Sequence, residues 1–270
     1  MSALVLTLRG RPPQRLDMAP IVPHLLAGKS EAEIARIALQ TIRVGCTVGD
    51  AFAIRMGDAG SIRIEGSDRL DRIGHGMTGG EIRVEGEVGI QAGRAMQGGR
   101  LVIGGDAGPW TASGMRGGSL EVLGSVAERL GGPLAGEIAG MRGGTVLVRG
   151  DAGARAGDRL RRGTIVIEGS AGAYAGSRMI AGTLVVCGRA GALPGYLMKR
   201  GTLALAQEPA AMAPSFVDCG VHKLVALRLF AKYLEGVSAP ASSLFRHPVR
   251  RFAGDMAVLG KGELLVIHPG

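Results

Sequence analysis

Six basic side chains have the residue type and the spacing to bind an anion. Four of them stand two residues before a glycine that precedes a short aliphatic stretch, and the other two lie close by. Guanidinium groups form paired, charge-assisted hydrogen bonds with carboxylates and phosphates. The sequence therefore predicts a basic ridge that could seat an anionic chain or an acidic partner, and solvated corners are the alternative interpretation. The basic ridge consists of Arg94, Arg116, Arg142, Arg161, Arg178 and Lys199.

A column of methionines runs beside this ridge, three residues before the same glycine. Thioether side chains can bind soft metals or respond to oxidation, but a flexible, unbranched side chain also fills irregular space in a narrow core. The second interpretation is favoured, so we expect this column to be structural. Its members are Met77, Met96, Met115, Met141, Leu160, Met179 and Met198.

The sequence shows no convincing catalytic or metal-binding group. The most acidic outward column begins with Glu87 and Asp106 and is then broken, which is weak support for the paired acids of a polysaccharide-cleaving enzyme. The five histidines have no ligand spacing, although His75 is a conceivable catalytic residue. The three cysteines are far apart, with no C-x-x-C pair. We predict no catalytic residue, no metal site and no disulfide.

A repeat of nineteen residues must position these columns. The 47 glycines are far above the usual share, and the repeat glycine recurs with spacings of 20, 19, 19, 26, 19, 19 and 19 residues. The spacing of 26 marks a seven-residue insertion between residues 124 and 144. The repeat glycines are Gly60, Gly80, Gly99, Gly118, Gly144, Gly163, Gly182 and Gly201.

Aliphatic residues occur two and four positions after every repeat glycine, for example Ile82 and Val84. Alternation at spacing two predicts a short strand with one buried face. A unit of nineteen residues cannot bury that face alone, whereas stacked units bury a continuous column. The sequence therefore predicts an all-β core, a right-handed parallel β-solenoid of about eight coils.

The two ends of the chain differ from the repeat and predict caps. We expect an N-terminal cap over residues 1–56, the repeats over 57–206 and a C-terminal segment over 207–270. A capping box at residues 30–33 predicts a helix that reaches about Ile42, and residues 222–235 predict a second helix that stops at Gly236. The outward column turns apolar from Leu147 onward through Val166, which predicts a cover, either this second helix or another protein of an assembly.

The charge balance permits acidic partners. The formal net charge is +9, and only 3% of the residues are aromatic. Nucleic acid is disfavoured because no aromatic side chains are interleaved with the basic ones for base stacking. No apolar run is long enough to span a membrane, and the first twenty residues do not resemble a signal peptide, so we expect a cytoplasmic protein.

The repeat and both ends resemble a known family. The pattern G-x-x-M-x-x-G-[GT]-x-[LIV]-x-[LIV]-x-G, as in residues 74–86, resembles the C subunit of formylmethanofuran dehydrogenase. The C-terminal GXGXG domain of glutamate synthase is related, but residues 27–34, 49–52, 250–255 and 260–264 favour the former. The resemblance covers essentially the whole chain.

This resemblance implies a noncatalytic structural subunit with no cofactor of its own. Its partners would be three other proteins, one amidohydrolase-like, one molybdopterin-enzyme-like and one a formyltransferase. The arginine-rich composition favours the bacterial formyltransferase/hydrolase complex of one-carbon metabolism. That complex moves a formyl group from a tetrahydromethanopterin carrier to a methanofuran-type carrier and hydrolyses it to formate. The polyglutamate tail of the carrier would be a ligand for the basic ridge.

Two alternatives remain at the level of sequence. One is the C subunit of a molybdenum- or tungsten-dependent formylmethanofuran dehydrogenase. The other belongs to a different class, a free-standing β-solenoid enzyme that acts on acidic polysaccharide.

Overall fold

Strands dominate the computed structural model, which describes residues 2–39 and 45–268. The first strands are β1 Ala3–Leu8, β2 Leu16–Asp17, β3 Ala38–Leu39, β4 Cys46–Thr47, β5 Phe52–Arg55, β6 Asp58–Ser67 and β7 Leu70–Asp71. The following ones are β8 Glu81–Val88, β9 Arg100–Ile103, β10 Ser119–Val122, β11 Arg142–Val148, β12 Arg162–Ile167, β13 Thr183–Val186 and β14 Arg200–Leu205. The last ones are β15 Val217–His222, β16 Val249–Gly254 and β17 Lys261–Ile267. The helices are α1 Pro23–Leu26, α2 Glu31–Ala35, α3 Val48–Ala51, α4 Val225–Glu235 and α5 Ala239–Leu244.

One sheet of thirteen strands contains the repeats, in the order β15-β16-β17-β14-β13-β12-β11-β10-β9-β8-β6-β1-β5. Neighbours are parallel from β17 through to β1, and antiparallel pairs occur at the two ends of the sheet. The register aligns equivalent positions of successive repeats, so that Ile82 lies opposite both Ile62 and Leu101. The predicted all-β core is confirmed, with a large and mostly parallel sheet.

The methionine column lies inside the stack. All seven of its members, from Met77 to Met198, are fully buried. The repeat glycines permit the close stacking around them. Gly99 has φ 81°, and a Cβ there would lie 2.5 Å from the carbonyl oxygen of Gly80. A residue with a side chain would therefore be strained and would clash with the repeat below.

The N-terminal helix is shorter than predicted. The capping box forms, because the Ser30 amide donates to the Glu33 carboxylate at 2.8 Å and Ser30 Oγ accepts from the Glu33 amide. However, α2 ends at Ala35, and Ile42 lies outside the described residues. Residues 38–39 form β3 and pair antiparallel with β4. Pairing with a strand that lies later in the chain has overridden local helix propensity.

The C-terminal helix begins later than predicted and covers the outward apolar column. Residues 217–222 form β15, which pairs with β16, so α4 starts at Val225 and not at residue 222. Gly236 caps α4 at its C-terminal end, as predicted. The helix buries Ala231 and Leu234 in one apolar cluster with the outward column, whose members are Leu147, Val166, Val185 and Ala204. None of the helices in the described part of the chain has the length and hydrophobicity needed to cross a membrane.

Candidate functional site

The backbone stacks four members of the basic ridge at equivalent positions. The amides of Arg116, Arg142, Arg161 and Lys199 each donate to the carbonyl of the column residue one repeat earlier, over 2.6 to 2.9 Å. Because each column side chain points into the core, the next residue points outward, and all four basic side chains are exposed. Ile180 occupies the equivalent position between Arg161 and Lys199. The structure therefore forms one run of three arginines, with the lysine beyond an apolar gap.

The other two members of the ridge occupy different positions in the repeat and are already paired. Arg94 forms an ion pair with Glu137 at 2.8 Å, and Arg178 forms one with Asp158 at 2.6 Å. The Asp158 carboxylate is buried and also accepts a hydrogen bond from Ser177 at 2.9 Å. Arg178 therefore neutralises an internal carboxylate, which leaves it less free to bind an external anion than the stacked arginines.

The seven-residue insertion lies against this part of the surface. Gly131 and Met141 are ten positions apart, whereas the equivalent Gly157 and Leu160 are three apart. The Met141 amide donates to the Gly131 carbonyl at 2.7 Å, so the inserted loop leaves the stack and returns at the same point. Ile138, near its end, is 74% exposed.

A surface depression of 330 Å³ adjoins the insertion and combines basic with aliphatic walls. Arg159, Arg178 and Leu197 line it from equivalent positions of three successive repeats. We call this site the mixed depression, and its residues are Ile138, Arg159, Arg178, Ile180, Leu197, Lys199 and Val258. It unites two members of the basic ridge, Arg178 and Lys199, and leaves out the other four.

Comparison with known proteins shows similarity over nearly the full length of the chain. The chain is 51% identical over 262 residues to the C subunit of the formyltransferase/hydrolase complex Fhc of Methylorubrum extorquens, covering 97% of this chain and 98% of that protein. The chain belongs to the Fhc C-subunit family. It also resembles a chain in the X-ray crystal structure of the formyltransferase/hydrolase complex (FhcABCD) from M. extorquens in complex with methylofuran. That similarity has a TM-score of 0.92 and 44% identity, and covers 98% of this chain and 100% of that one. No protein-family model matches.

Membership of the Fhc C-subunit family confirms the resemblance drawn from the repeat and the two chain ends. The confirmation depends on residues outside the repeat as well as within it, because the relationship covers almost the full length of both proteins. A stand-alone polysaccharide enzyme is not favoured by either relative, since both belong to a formyltransferase/hydrolase complex.

Burial shifts the pKa of two potentially reactive side chains in this Fhc C-subunit family member. Burial, with a smaller contribution from Glu168, raises the pKa of the Cys187 thiol to about 12, so the thiol is protonated at neutral pH and is a poor nucleophile. Burial, assisted by Arg72 and Arg94, lowers the pKa of His75. Across residues 2–39 and 45–268, no three His, Cys, Asp or Glu side chains are grouped so that they could hold a metal ion.

This Fhc C-subunit family member contains a second column that was not predicted from the sequence. Its members have φ near 60° although none is glycine, and they share a nineteen-residue spacing apart from the insertion. The column consists of Arg72, Gln91, Trp110, Arg129, Arg155, Tyr174 and Leu193. The Arg155 guanidinium lies 5.5 Å from the centre of the Tyr174 ring, and Arg129 lies 5.9 Å from that of Trp110. Its spacing was a detectable signal, but its mixed residue types concealed it.

Proposed function

We propose that this chain is the C subunit of a formyltransferase/hydrolase complex, with a noncatalytic structural role. One observation carries the proposal: the chain matches the corresponding protein of such a complex over almost its whole length, at 51% identity. The complex transfers a formyl group from a tetrahydromethanopterin carrier to a methanofuran-type carrier and hydrolyses it to formate. The chain stabilises the assembly, while the catalytic groups and the carrier's reactive end belong to its companions.

The companions are three other proteins: an amidohydrolase-like one, a molybdopterin-enzyme-like one and a formyltransferase. The similar chain of known structure lies in the FhcABCD complex, which has four kinds of subunit. The three cysteines of this chain are free thiols, which supports a reducing location such as the cytoplasm.

The proposed architecture is a right-handed parallel β-solenoid of about eight coils. Parallel pairing from β6 to β14, which places the aliphatic positions of successive repeats opposite one another, supports it together with the buried methionine column. In this proposal residues 1–56 cap one end, residues 57–206 form the coils, and residues 207–270 pack on them.

Within the basic ridge, the run of three stacked arginines is proposed to bind the polyglutamate tail of the carrier. Support comes from the exposed run of Arg116, Arg142 and Arg161, which make no side-chain hydrogen bond or ion pair with the described residues. Parallel strands place equivalent residues about 4.8 Å apart, which suits an extended anionic chain that crosses successive repeats. The similar complex is known with methylofuran bound.

Affinity purification from the native host tests the structural role. The tagged full-length chain should bring down the three companions, identified by mass spectrometry, and the purified assembly should hydrolyse formyl groups from the carrier. The chain purified alone should be inactive. A chain that purifies alone from its own host, or that cleaves an acidic polysaccharide without companions, would refute the proposal.

Charge reversal tests the ridge. The triple variant R116E/R142E/R161E, in the assembled complex, should bind a polyglutamate peptide at least about tenfold more weakly, because several charge-assisted hydrogen bonds are lost. The matched control reverses three exposed charges on or beside α4, in the variant K223E/R228E/K232E. Binding that is equal in the two variants would show that the ridge has no specific role.

A further inference from the structure

Two irregular segments of the chain converge on the mixed depression. Ile138 comes from the seven-residue insertion, and Val258 comes from the turn between β16 and β17. Their exposed fractions are 74% and 42%. Leu197 and Ile180, which belong to the regular repeats, also line the depression. Two segments outside the regular repeat thus present aliphatic side chains to one place.

The insertion is held firmly in this position. The Arg159 guanidinium donates to the backbone carbonyl of Glu137 at 2.9 Å, directly before Ile138. The Glu137 carboxylate accepts from Arg94 at 2.8 Å and from the Leu134 amide at 2.9 Å. These bonds fix both the backbone and the neighbouring side chain, so Ile138 is exposed on an ordered loop and its ordering entropy has already been lost on folding.

The turn that carries Val258 is held by a buried carboxylate. Asp255 accepts hydrogen bonds from the Leu197 amide at 2.8 Å and from the Ala257 amide at 2.9 Å. The first bond ties the turn to the repeat that lines the depression, and the second closes the turn. Val258 is therefore presented from a fixed support, as Ile138 is.

The side chains that line the mixed depression include cations but no acids. Arg159, Arg178 and Lys199 line it, and none of its lining residues is acidic. Asp158 neutralises Arg178 from below and is itself buried. Arg159 and Lys199 have no ion-pair partner among the described residues, and the hydrogen bond that Arg159 donates goes to an uncharged backbone carbonyl. The depression therefore favours a ligand with carboxylates on one side and apolar groups on the other.

We infer that the mixed depression is the docking surface for a companion protein of the complex. The inference rests on the proposed function, and it names the surface. The occupant is a segment of that companion which inserts an aliphatic or aromatic side chain between Ile138 and Val258. Acidic residues flanking that side chain pair with Arg159 and Lys199. A purely anionic polymer fits less well, because it would leave the exposed aliphatic side chains in water.

Co-purification from the native host tests this docking surface. The variant I138D/V258D replaces two exposed aliphatic side chains with carboxylates, which would repel the acidic residues of the docked segment. Recovery of the companions should therefore fall at least about tenfold. The variant R159E/K199E should lower recovery as well, and its loss should grow less severe at high salt because exposed charges are screened. Each variant's thermal melt, measured on the full chain, verifies that it is folded.

A matched control separates this surface from general apolar exposure. Val225 on α4 is also 74% exposed, and V225D should leave recovery unchanged. Equal losses in V225D and I138D/V258D, or full recovery in both depression variants, would overturn the inference. Normal assembly of R159E/K199E with loss of polyglutamate binding would overturn it in favour of the carrier tail. Failure of the unaltered chain to recover any companion would instead refute the proposed function.

Discussion

Two apolar regions on the outside of the stack differ in what covers them. The outward column, which includes Val166 and Val185, is buried beneath α4. The mixed depression, with Ile138 and Val258, has no cover among the described residues. The covered column is purely aliphatic, whereas the open depression adds cations to its walls. The amphipathic helix α4 can bury an uncharged face because the side chains that it packs inward are apolar. Covering a face that carries unpaired cations would also need acidic side chains to pair with them, and α4 packs none against the sheet.

The largest effect on stability is expected from a charged side chain placed beneath α4. Val166 is fully buried, so V166K should lower the free energy of unfolding by on the order of 5 kcal/mol through burial of an unpaired ammonium. The matched variant I138K adds the same group at an exposed aliphatic position, and should change stability by less than about 0.5 kcal/mol. Urea titration of both variants measures the difference. Equal effects would contradict the burial of Val166 beneath α4.

Truncation on α4 itself sharpens the comparison. Leu234 is fully buried against the column, while Leu229 on the same helix is 71% exposed. L234A should cost about 2 to 5 kcal/mol because it leaves a cavity, and L229A should cost less than about 0.5 kcal/mol. Thermal or urea denaturation of the two variants measures this difference in stability. Similar losses in both variants would mean that α4 packs through another face.

A smaller effect is expected from the ion pair beneath the depression. D158N keeps the shape of the side chain but removes the charge that faces Arg178, and should lower stability by about 1 to 2 kcal/mol. R116Q, at an unpaired and exposed member of the basic ridge, should be neutral within about 0.5 kcal/mol. Urea denaturation compares them, and a neutral D158N would show that the ion pair between Asp158 and Arg178 adds no net stability to the fold.

The smallest expected effect is a pH dependence of the depression's two supports. Burial opposes ionisation of both Asp255 and Glu137. The hydrogen bonds to Asp255 from Ser215, Ala257 and Leu197 outweigh burial, as do those to Glu137 from Arg94 and Leu134, so both pKa values lie below their ordinary ones. Carboxyls with depressed pKa values stabilise the folded state above their ordinary pKa, near 4, and this contribution disappears as pH falls through the depressed value.

The stability of the unaltered chain should therefore decline as pH falls below about 4. The variant E137Q/D255N should show a flatter decline over the same range, because its two amides do not titrate. Unfolding free energies measured between neutral and acidic pH give both curves. Parallel curves for the two proteins would mean that these carboxyls do not support the depression through their charge.

The sequence alone determined the regular part of this protein. Glycine at a nineteen-residue spacing, aliphatic pairs after it and methionine before it specified parallel strands and the buried column, because a periodic chain that stacks on itself repeats the same contacts at each level. It also located the stacked arginines and the family. Each of these features depends on residues at equivalent positions of successive repeats, which the stacking of one repeat on the next brings together.

Only the tertiary structure decided the irregular part. It showed that α2 stops at Ala35, that β15 replaces the start of the predicted helix, and that Arg94 and Arg178 are paired with acids. It also brought Ile138 and Val258 to one depression. These outcomes depend on contacts between segments far apart in the chain and outside the repeat, so no local propensity or period in the residues carries them. The burial of the methionine column follows from the nineteen-residue period. The exposed mixed depression instead depends on where the insertion and the turn between β16 and β17 pack against the repeats.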